Sequence, residues 1–261
     1  MILVIDAGNT NIVAAIMEND AAVYVKRYAT GKEENCTYHY NVLSEFFCDV
    51  EKKTGSKITD LIQGAIVSSV VPSINIALKR AVKECLHLEA LFVSNKLDTG
   101  LDIKYDYPEK LGADLIAGAA GAVFKFGCPV IMIDIGTATT FSVVNSKGQY
   151  LGGAICPGPY TSLKALTNLA AQLPVGTLGF TDKIIGTNTT DCMSIGAFTA
   201  HAAMIDGMID RILATIEDKN VVIVATGGPA REITAMCTHK VQCDRDLVLY
   251  GLSKLYFRNT K

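Results

Sequence analysis

One pattern occurs twice in this chain, and it restricts the fold more than any other feature. Ile5-Asp6-Ala7-Gly8-Asn9-Thr10 follows the apolar run 1–5, and Ile133-Asp134-Ile135-Gly136-Thr137-Ala138 follows the apolar run 129–133. Each leads into a second apolar run (12–17 and 140–144). A polar turn comes next, Glu18-Asn19-Asp20 or Asn145-Ser146-Lys147-Gly148, and then a third strand candidate. Short apolar runs bounded by turn residues read as buried strands. Strand, Asp-x-Gly turn, strand, turn, strand, found twice, is the signature of a duplicated domain. Such a turn aims backbone N–H groups and one carboxylate into a cleft between the halves, an arrangement for nucleotide phosphates and their metal.

The rest of the chain reads as alternating helices and strands. The first half predicts an amphipathic helix over 37–53, with Tyr40, Leu43, Phe46 and Phe47 on its apolar side. A strand over 61–71 stops at Pro72. A helix over 73–87 follows, burying Ile74, Ile76, Ala77, Ala81, Val82 and Cys85, and a strand over 88–93. The linking region, 98–126, carries Tyr105-Asp106-Tyr107-Pro108 and a small-residue helix over 112–123. The second half predicts three strands within 129–155, a short helix over 160–171 and a long apolar helix over 191–216. A strand over 220–225 and helices over 229–237 and 247–258 complete it. The class is therefore α/β with a mixed sheet in each half, divided into domains 1–115 and 116–261. A chain of 261 residues is long enough to bury a core in each half.

Composition excludes several functions. A hydrophobic share of 49% rules out disorder, and a net charge of −2 gives no electrostatic case for nucleic acid. The N-terminal apolar run lacks a basic leader and is broken by Asp6, so it reads as a strand rather than a signal peptide. No run reaches the roughly 18 apolar residues of a membrane span. A soluble, cytoplasmic protein is expected, with no membrane partner. The eight cysteines contain no Cys-x-x-Cys pair and sit largely in apolar contexts, which predicts reduced, buried thiols rather than zinc or redox sites.

Three carboxylates stand where chemistry is expected. Asp6, at the end of a buried strand, can hold Mg²⁺, while Gly8 lets an anion approach and Asn9, Thr10 and Asn11 offer donors to phosphate. One such motif alone also fits an ordinary hairpin with an Asx turn; its repetition favours function. Asp134, with the hydroxyls of Thr137, Thr139 and Thr140, suits a phosphate, a metal shell or a bound monovalent cation, though a Thr-rich strand has β-propensity to explain it. Asp114 lies at the start of the linking helix, as an N-cap charge or as a general base for a substrate hydroxyl. Gly152 to Gly158 and Thr226-Gly227-Gly228 offer bare backbone for a base or ribose, or are plain turns. The histidines have no ligand spacing, and His201 reads as packed or interfacial.

Taken in order, these pieces resemble type III pantothenate kinase, of the superfamily of acetate and sugar kinases, Hsc70 and actin. Asp6-x-Gly-Asn-Thr10 resembles the family's phosphate loop, and Ser68-Ser69-Val70-Val71-Pro72 its next segment. Tyr105-Asp106-Tyr107-Pro108 with Gly112-Ala113-Asp114 resembles its pantothenate-binding stretch. Asp134-x-Gly-Thr-Ala-Thr139, Gly152-Gly153-x-Ile155-x-Pro157-Gly158, Gly186-x-Asn188-Thr189, Thr226-Gly227-Gly228 and Leu249-Tyr250-Gly251-Leu252 follow in the family's order.

The resemblance implies two actin-like (ribonuclease H-like) domains with a cleft between them. It also implies transfer of the ATP γ-phosphoryl group to the 4′-hydroxyl of pantothenate, the first step of coenzyme A biosynthesis. In that picture Asp114 is the general base, and Asp6, Ala7, Gly8, Asn9, Thr10, Asn11 and Thr137 hold ATP, with Mg²⁺ at Asp6. Asp134 binds a monovalent cation, K⁺ or NH₄⁺. Tyr105, Gly112, Ala113, Asp114, Leu115 and Thr189 line the pantothenate site. A homodimer is implied, with the helix over 191–216 as a candidate interface. Leu115 stands where the family usually has Arg, whose planar fork pairs with anions in a way Leu cannot. The alternatives are a kinase for another small hydroxylated acceptor, or a non-catalytic regulatory relative.

Overall fold

The computed structural model describes residues 1–31, 36–170, 173 and 179–260. They form two compact units: Met1–Lys125 with Asp246–Lys261, and Phe126–Arg245. The boundary expected at 115/116 therefore lies about ten residues later, and the C-terminal segment returns to the first unit. The reason is packing, since the last helix covers the first sheet rather than the second.

In the first unit, β1 (Ile2–Ala7), β2 (Asn11–Glu18) and β3 (Ala21–Ala29) form an antiparallel meander. Helix α1 (Cys36–Thr54) leads to β4 (Ala65–Ser69), and α2 (Asn75–Leu86) leads to β5 (Ala90–Phe92). β4 pairs parallel to β1, and β5 parallel to β4, giving the order β3-β2-β1-β4-β5. The tip between β2 and β3 is Asn19-Asp20, both at positive φ (47° and 68°), which short polar side chains tolerate in a tight hairpin. Leu3, Ile5 and Ala7 face one side, where Leu43, Phe46 and Phe47 of α1 and Leu78, Ala81 and Val82 of α2 cover them. By the period-2 rule, Asp6 shares the opposite side with Ile2 and Val4.

After a short strand, β6 (Asp102–Ile103), comes α3 (Ala113–Phe126). The second unit repeats the first. β7 (Val130–Ile135), β8 (Ala138–Val144) and β9 (Gln149–Pro157) form the meander. Helices α4 (Pro159–Leu169), α5 (Thr189–Ser194) and α6 (Ala200–Thr215) precede β10 (Val222–Thr226), and α7 (Ala230–Thr234) precedes β11 (Gln242–Cys243). Within this unit the strands run β11-β10-β7-β8-β9, the same order and senses as the first. Even the register shift recurs, at Ile16/Met17 in β2 and Val143/Val144 in β8. The duplication is thus a property of the fold.

α8 (Leu247–Asn259) closes the first unit. It packs on α3 through two glycines: a Cβ at Gly251 would land on the Ala117 carbonyl oxygen, and one at Gly121 would lie 2.5 Å from the Leu247 carbonyl oxygen. Backbone approach that close needs residues without side chains at the crossing.

Several local expectations change. The strand over 61–71 is limited to Ala65–Ser69, and Leu61 is exposed. Pro72–Ile74 forms a 3₁₀ turn before α2, so the buried stripe falls on Leu78 and leaves Ile76 67% exposed. Residue 171, at the end of the predicted helix over 160–171, lies outside the described residues. The described cysteines are free but none is fully buried: Cys85 and Cys237 pack at the edges of the two cores, and Cys48, Cys128, Cys192 and Cys243 are exposed. The stretch Thr189–Thr215 is long and apolar enough by length and composition to cross a bilayer. Half of its most apolar window is buried inside the unit, as in a core helix.

Candidate functional site

Asp6 is the last residue but one of β1, and its ladder neighbour on β4 is Ser68. The loop after it is held on both sides. Gly8 N–H donates to the Asn11 carbonyl at 3.0 Å, and Val70 N–H donates to the Ala7 carbonyl at 3.1 Å. The buried Thr30 hydroxyl donates to the Gly8 carbonyl at 2.6 Å, and its N–H to the Thr10 carbonyl at 3.1 Å. Asn9 and Thr10 remain exposed at the rim of this fixed loop. Thr30 carries no sequence signal for this role, because only the β2–β3 pairing brings it back to the turn.

Asp114 lies in the first turn of α3, where the N–H of Leu115 donates to its Oδ1 at 2.8 Å. Gly112 makes that pose possible, since a Cβ there would lie 2.5 Å from the same oxygen. The two carboxylates sense each other. Burial, with the charge on Asp114 as the second cause, pushes Asp6 up to about 6; Ser68 and Arg27 pull in the other direction. Burial also raises Asp114, against the backbone N–H bonds of Leu115 and its own residue. The Ser68 hydroxyl is fully buried beside Asp6, close enough to lower its pKa although it closes no hydrogen bond of full geometry. That donor set suits a divalent cation bound through oxygen. Ala113 is buried and Leu115 half-buried on the same turn, while Tyr105, in the preceding segment, is 38% exposed.

The second unit repeats this arrangement with a different lining. Asp134 lies between Thr140 on β8 and Thr226 on β10. Gly136 N–H donates to the Ala138 carbonyl at 2.8 Å. The Thr137 carbonyl accepts from Gly158 N–H at 2.9 Å and from the Thr161 hydroxyl at 2.6 Å. Gly227 adopts φ +104°, and a Cβ there would strike the Ile135 carbonyl and lie 2.8 Å from Asp134 Oδ1. Thr140 Oγ1, directly across the ladder from Asp134, is buried without a hydrogen-bond partner. An orphaned hydroxyl beside a carboxylate and bare glycine backbone is chemistry for a small cation or a phosphate.

Thr189 is the first residue of α5, exposed behind the cap that Asn188 Oδ1 makes to the Asp191 N–H at 2.9 Å. It borders an apolar cavity of about 340 Å³ lined also by Leu163, Leu166, Cys192 and Met193. Asp6, Asp114, Gly112 and Leu115 thus belong to one unit, and Asp134, Thr137 and Thr189 to the other. Among the described residues, no cluster of three or more His, Cys, Asp or Glu side chains forms a ready-made metal cage.

Comparison with known proteins identifies the family. The profile of the family described as type III pantothenate kinase matches residues 2–211. The type III pantothenate kinase of Shouchella clausii (strain KSM-K16) is 36% identical over 260 residues, covering 99% of this chain and 100% of that protein. That of Geobacillus kaustophilus (strain HTA426) is 37% identical over 263 residues, covering 100% and 99%. Among solved structures, a Baf family transcriptional activator from Campylobacter jejuni superposes with TM-score 0.62 at 18% identity, covering 99% of this chain and 98% of that one. MreB 5 of Spiroplasma citri bound to AMPPNP superposes with TM-score 0.53 at 11% identity, covering 98% and 95%. The two structures share the fold.

Proposed function

The chain belongs to the type III pantothenate kinase family and is an ATP-dependent pantothenate kinase, and we propose how its own side chains divide the reaction. The γ-phosphoryl group of ATP passes to the 4′-hydroxyl of pantothenate, the first step of coenzyme A biosynthesis. The new bond joins the acceptor oxygen to phosphorus, the bridge to the β-phosphate breaks, and its electron pair leaves on ADP. In our assignment the hydroxyl proton goes to Asp114, whose raised pKa makes it a stronger base than an exposed carboxylate. The N–H of Leu115 pins one oxygen of that carboxylate, which orients the base before substrate arrives.

Asp6 with Ala7, Gly8, Asn9, Thr10 and Asn11 is assigned to the ATP phosphates, and Thr137 to ATP from the second unit. Mg²⁺ held at Asp6 would supply charge neutralisation on the phosphate oxygens. Asp134, with the orphaned Thr140 hydroxyl, is assigned to a monovalent cation, K⁺ or NH₄⁺. Tyr105, Gly112, Ala113, Leu115 and Thr189 are assigned to the acceptor. A homodimer is favoured by the apolar side chains exposed in the second unit, Ile155, Leu169, Ile184 and Ile185, each at least 70% exposed. We expect a cytoplasmic enzyme acting on these small molecules, with no nucleic-acid or membrane partner.

The observation that carries the residue assignment is the pair Asp6 and Asp114, two raised carboxylates that sense each other in one unit. ADP release is measured with ATP and Mg²⁺, with and without pantothenate, in K⁺ and then in Na⁺ buffer. Pantothenate-dependent turnover requiring K⁺ is expected. Asp114→Asn is expected to lower kcat by at least about 10²-fold with nucleotide affinity retained; near-normal turnover would remove Asp114 as the base. Leu115→Arg is expected to lower the KM for pantothenate, and an unchanged KM would mean that Leu115 is not the missing anion contact.

A further inference from the structure

Between α5 and α6 the helix is not regular: Ile195–Thr199 forms a π turn, and the stretch Thr189–Thr215 runs through it. π turns insert one extra residue and rotate everything that follows, and they are kept where a side chain must be re-aimed. His201, the second residue of α6, follows this turn directly. It is 8% exposed, and its Nε2 lies 2.8 Å from Oγ1 of Thr139, which is itself fully buried. Burial lowers the His201 pKa, so the ring is neutral at physiological pH.

Thr139 stands at a particular place. It pairs with Ile135 across the ladder, so it closes the turn that carries Asp134, Gly136 and Thr137. Its side chain alternates with that of Thr140: Thr140 shares the face of Asp134, while Thr139 points with Phe141 and Val143 into the helical core. The π turn grips the same strand turn from a second side. Phe198, within it, makes an edge-on contact with Tyr160 of α4 at 5.6 Å between ring centroids. One helical step on, the Thr161 hydroxyl holds the Thr137 carbonyl at 2.6 Å. Two arms, Phe198 from the π turn and His201 from the start of α6, thus converge on the turn that follows β7. The start of the same helical stretch is Thr189.

We infer that His201 is a positioning residue for phosphoryl transfer: through Thr139 it fixes the Asp134–Thr137 turn against the helix that begins at Thr189. The inference rests on the assignment of Asp134 and Thr137 to the cation and ATP. His201 touches neither; it acts by holding the backbone from which they project. A buried hydroxyl that loses its hydrogen-bonding side chain reorients toward other acceptors, and the turn loosens with it.

The test compares Thr139→Val, which keeps the shape and deletes the hydroxyl, with Thr139→Ser, which keeps the hydroxyl, and His201→Leu with His201→Gln. Three quantities are read: the half-saturating K⁺ concentration, the KM for ATP and the KM for pantothenate. Val at 139 and Leu at 201 are each expected to raise half-saturating K⁺ and the KM for ATP about tenfold, with the KM for pantothenate changed less than twofold. The double variant Thr139→Val/His201→Leu is expected to be no worse than either single one, as for residues acting through one bond. Ser and Gln are expected to restore values within about threefold of the native enzyme. A merely structural role would lower the melting temperature and the active fraction while leaving these constants unchanged, and that result would overturn the inference. Unchanged constants in Thr139→Val alone would do the same even if His201→Leu failed to fold. If the native enzyme turned over pantothenate without any dependence on K⁺, the cation assignment at Asp134 would fail instead, and the KM for ATP would then judge His201.

Discussion

At neutral pH the carboxylate of Asp6 is ionised against its own burial and against the charge on Asp114. Its pKa is raised from 3.8 to about 6, so the unfolded chain releases this proton more readily than the folded one. The sign follows from linkage. The group stabilises the fold fully below its unfolded value near 3.8, and that contribution is lost as pH rises through about 6. A shift of this size corresponds to about 3 kcal/mol of opposition to folding at pH 7.5, as an order of magnitude. Asp6→Asn is therefore expected to be more stable than the native enzyme at pH 7.5, by about 1–3 kcal/mol in urea unfolding. The difference should vanish near pH 4, and binding of Mg²⁺·ATP should be lost. A variant less stable than the native chain at pH 7.5 would show that Asp6 is compensated rather than strained. Asp6 was legible in the sequence because the turn occurs twice. Its surroundings were less so: Arg27 on β3 and Ser68 on β4 act on it, and Thr30, just after β3, pins the loop behind it, contacts that only the strand pairing creates.

Periodicity found the elements, and it failed where the backbone leaves ideal geometry. The two meanders and helices α1, α3 and α8 lie close to their expected spans, because each has a clean alternation or a clean helical stripe. The 3₁₀ turn at Pro72–Ile74 rotates α2 enough to exchange Ile76 for Leu78 in the core, and the π turn at Ile195–Thr199 leaves no trace in hydrophobic pattern. The contact of α3 with α8 is equally hidden, although it depends on two visible glycines. Gly121 and Gly251 take their meaning from the crossing, where their missing side chains let the two backbones meet. Gly251→Ala is expected to destabilise the first unit by about 1–3 kcal/mol, because its methyl group must displace the Ala117 backbone. Hydrogen exchange would register this as faster opening of β1 and β4 amides with β7 and β8 unchanged. Equal protection in both proteins would mean that the crossing relaxes at no cost.

For the whole molecule, duplication supplied the architecture and misplaced the boundary. A repeat read along the chain suggests two consecutive halves, whereas the last helix belongs to the first half in space. α8 contacts β1, β2, β3 and β4, and its Leu247, Leu249, Leu252 and Leu255 are all at most 5% exposed. At roughly 1.5–3 kcal/mol for each buried leucine, these four contribute about 6–12 kcal/mol, comparable with the whole stability of a domain. The first sheet, with Asp6 at its centre, therefore cannot reach its native state until the chain's final residues are present. A chain ending at Arg245 is expected to lose protection of β1 and β4 amides in hydrogen exchange and to lose nucleotide binding. β7, β8 and β10 of the second unit should stay protected, because the core that packs Ile131, Ile133, Phe141, Val143 and Ile223 draws, among the described residues, on none beyond residue 245. Retention of slow exchange in β1 by that truncated chain would show that α1 and α2 alone hold the sheet, and that α8 covers the first unit without being needed to form it.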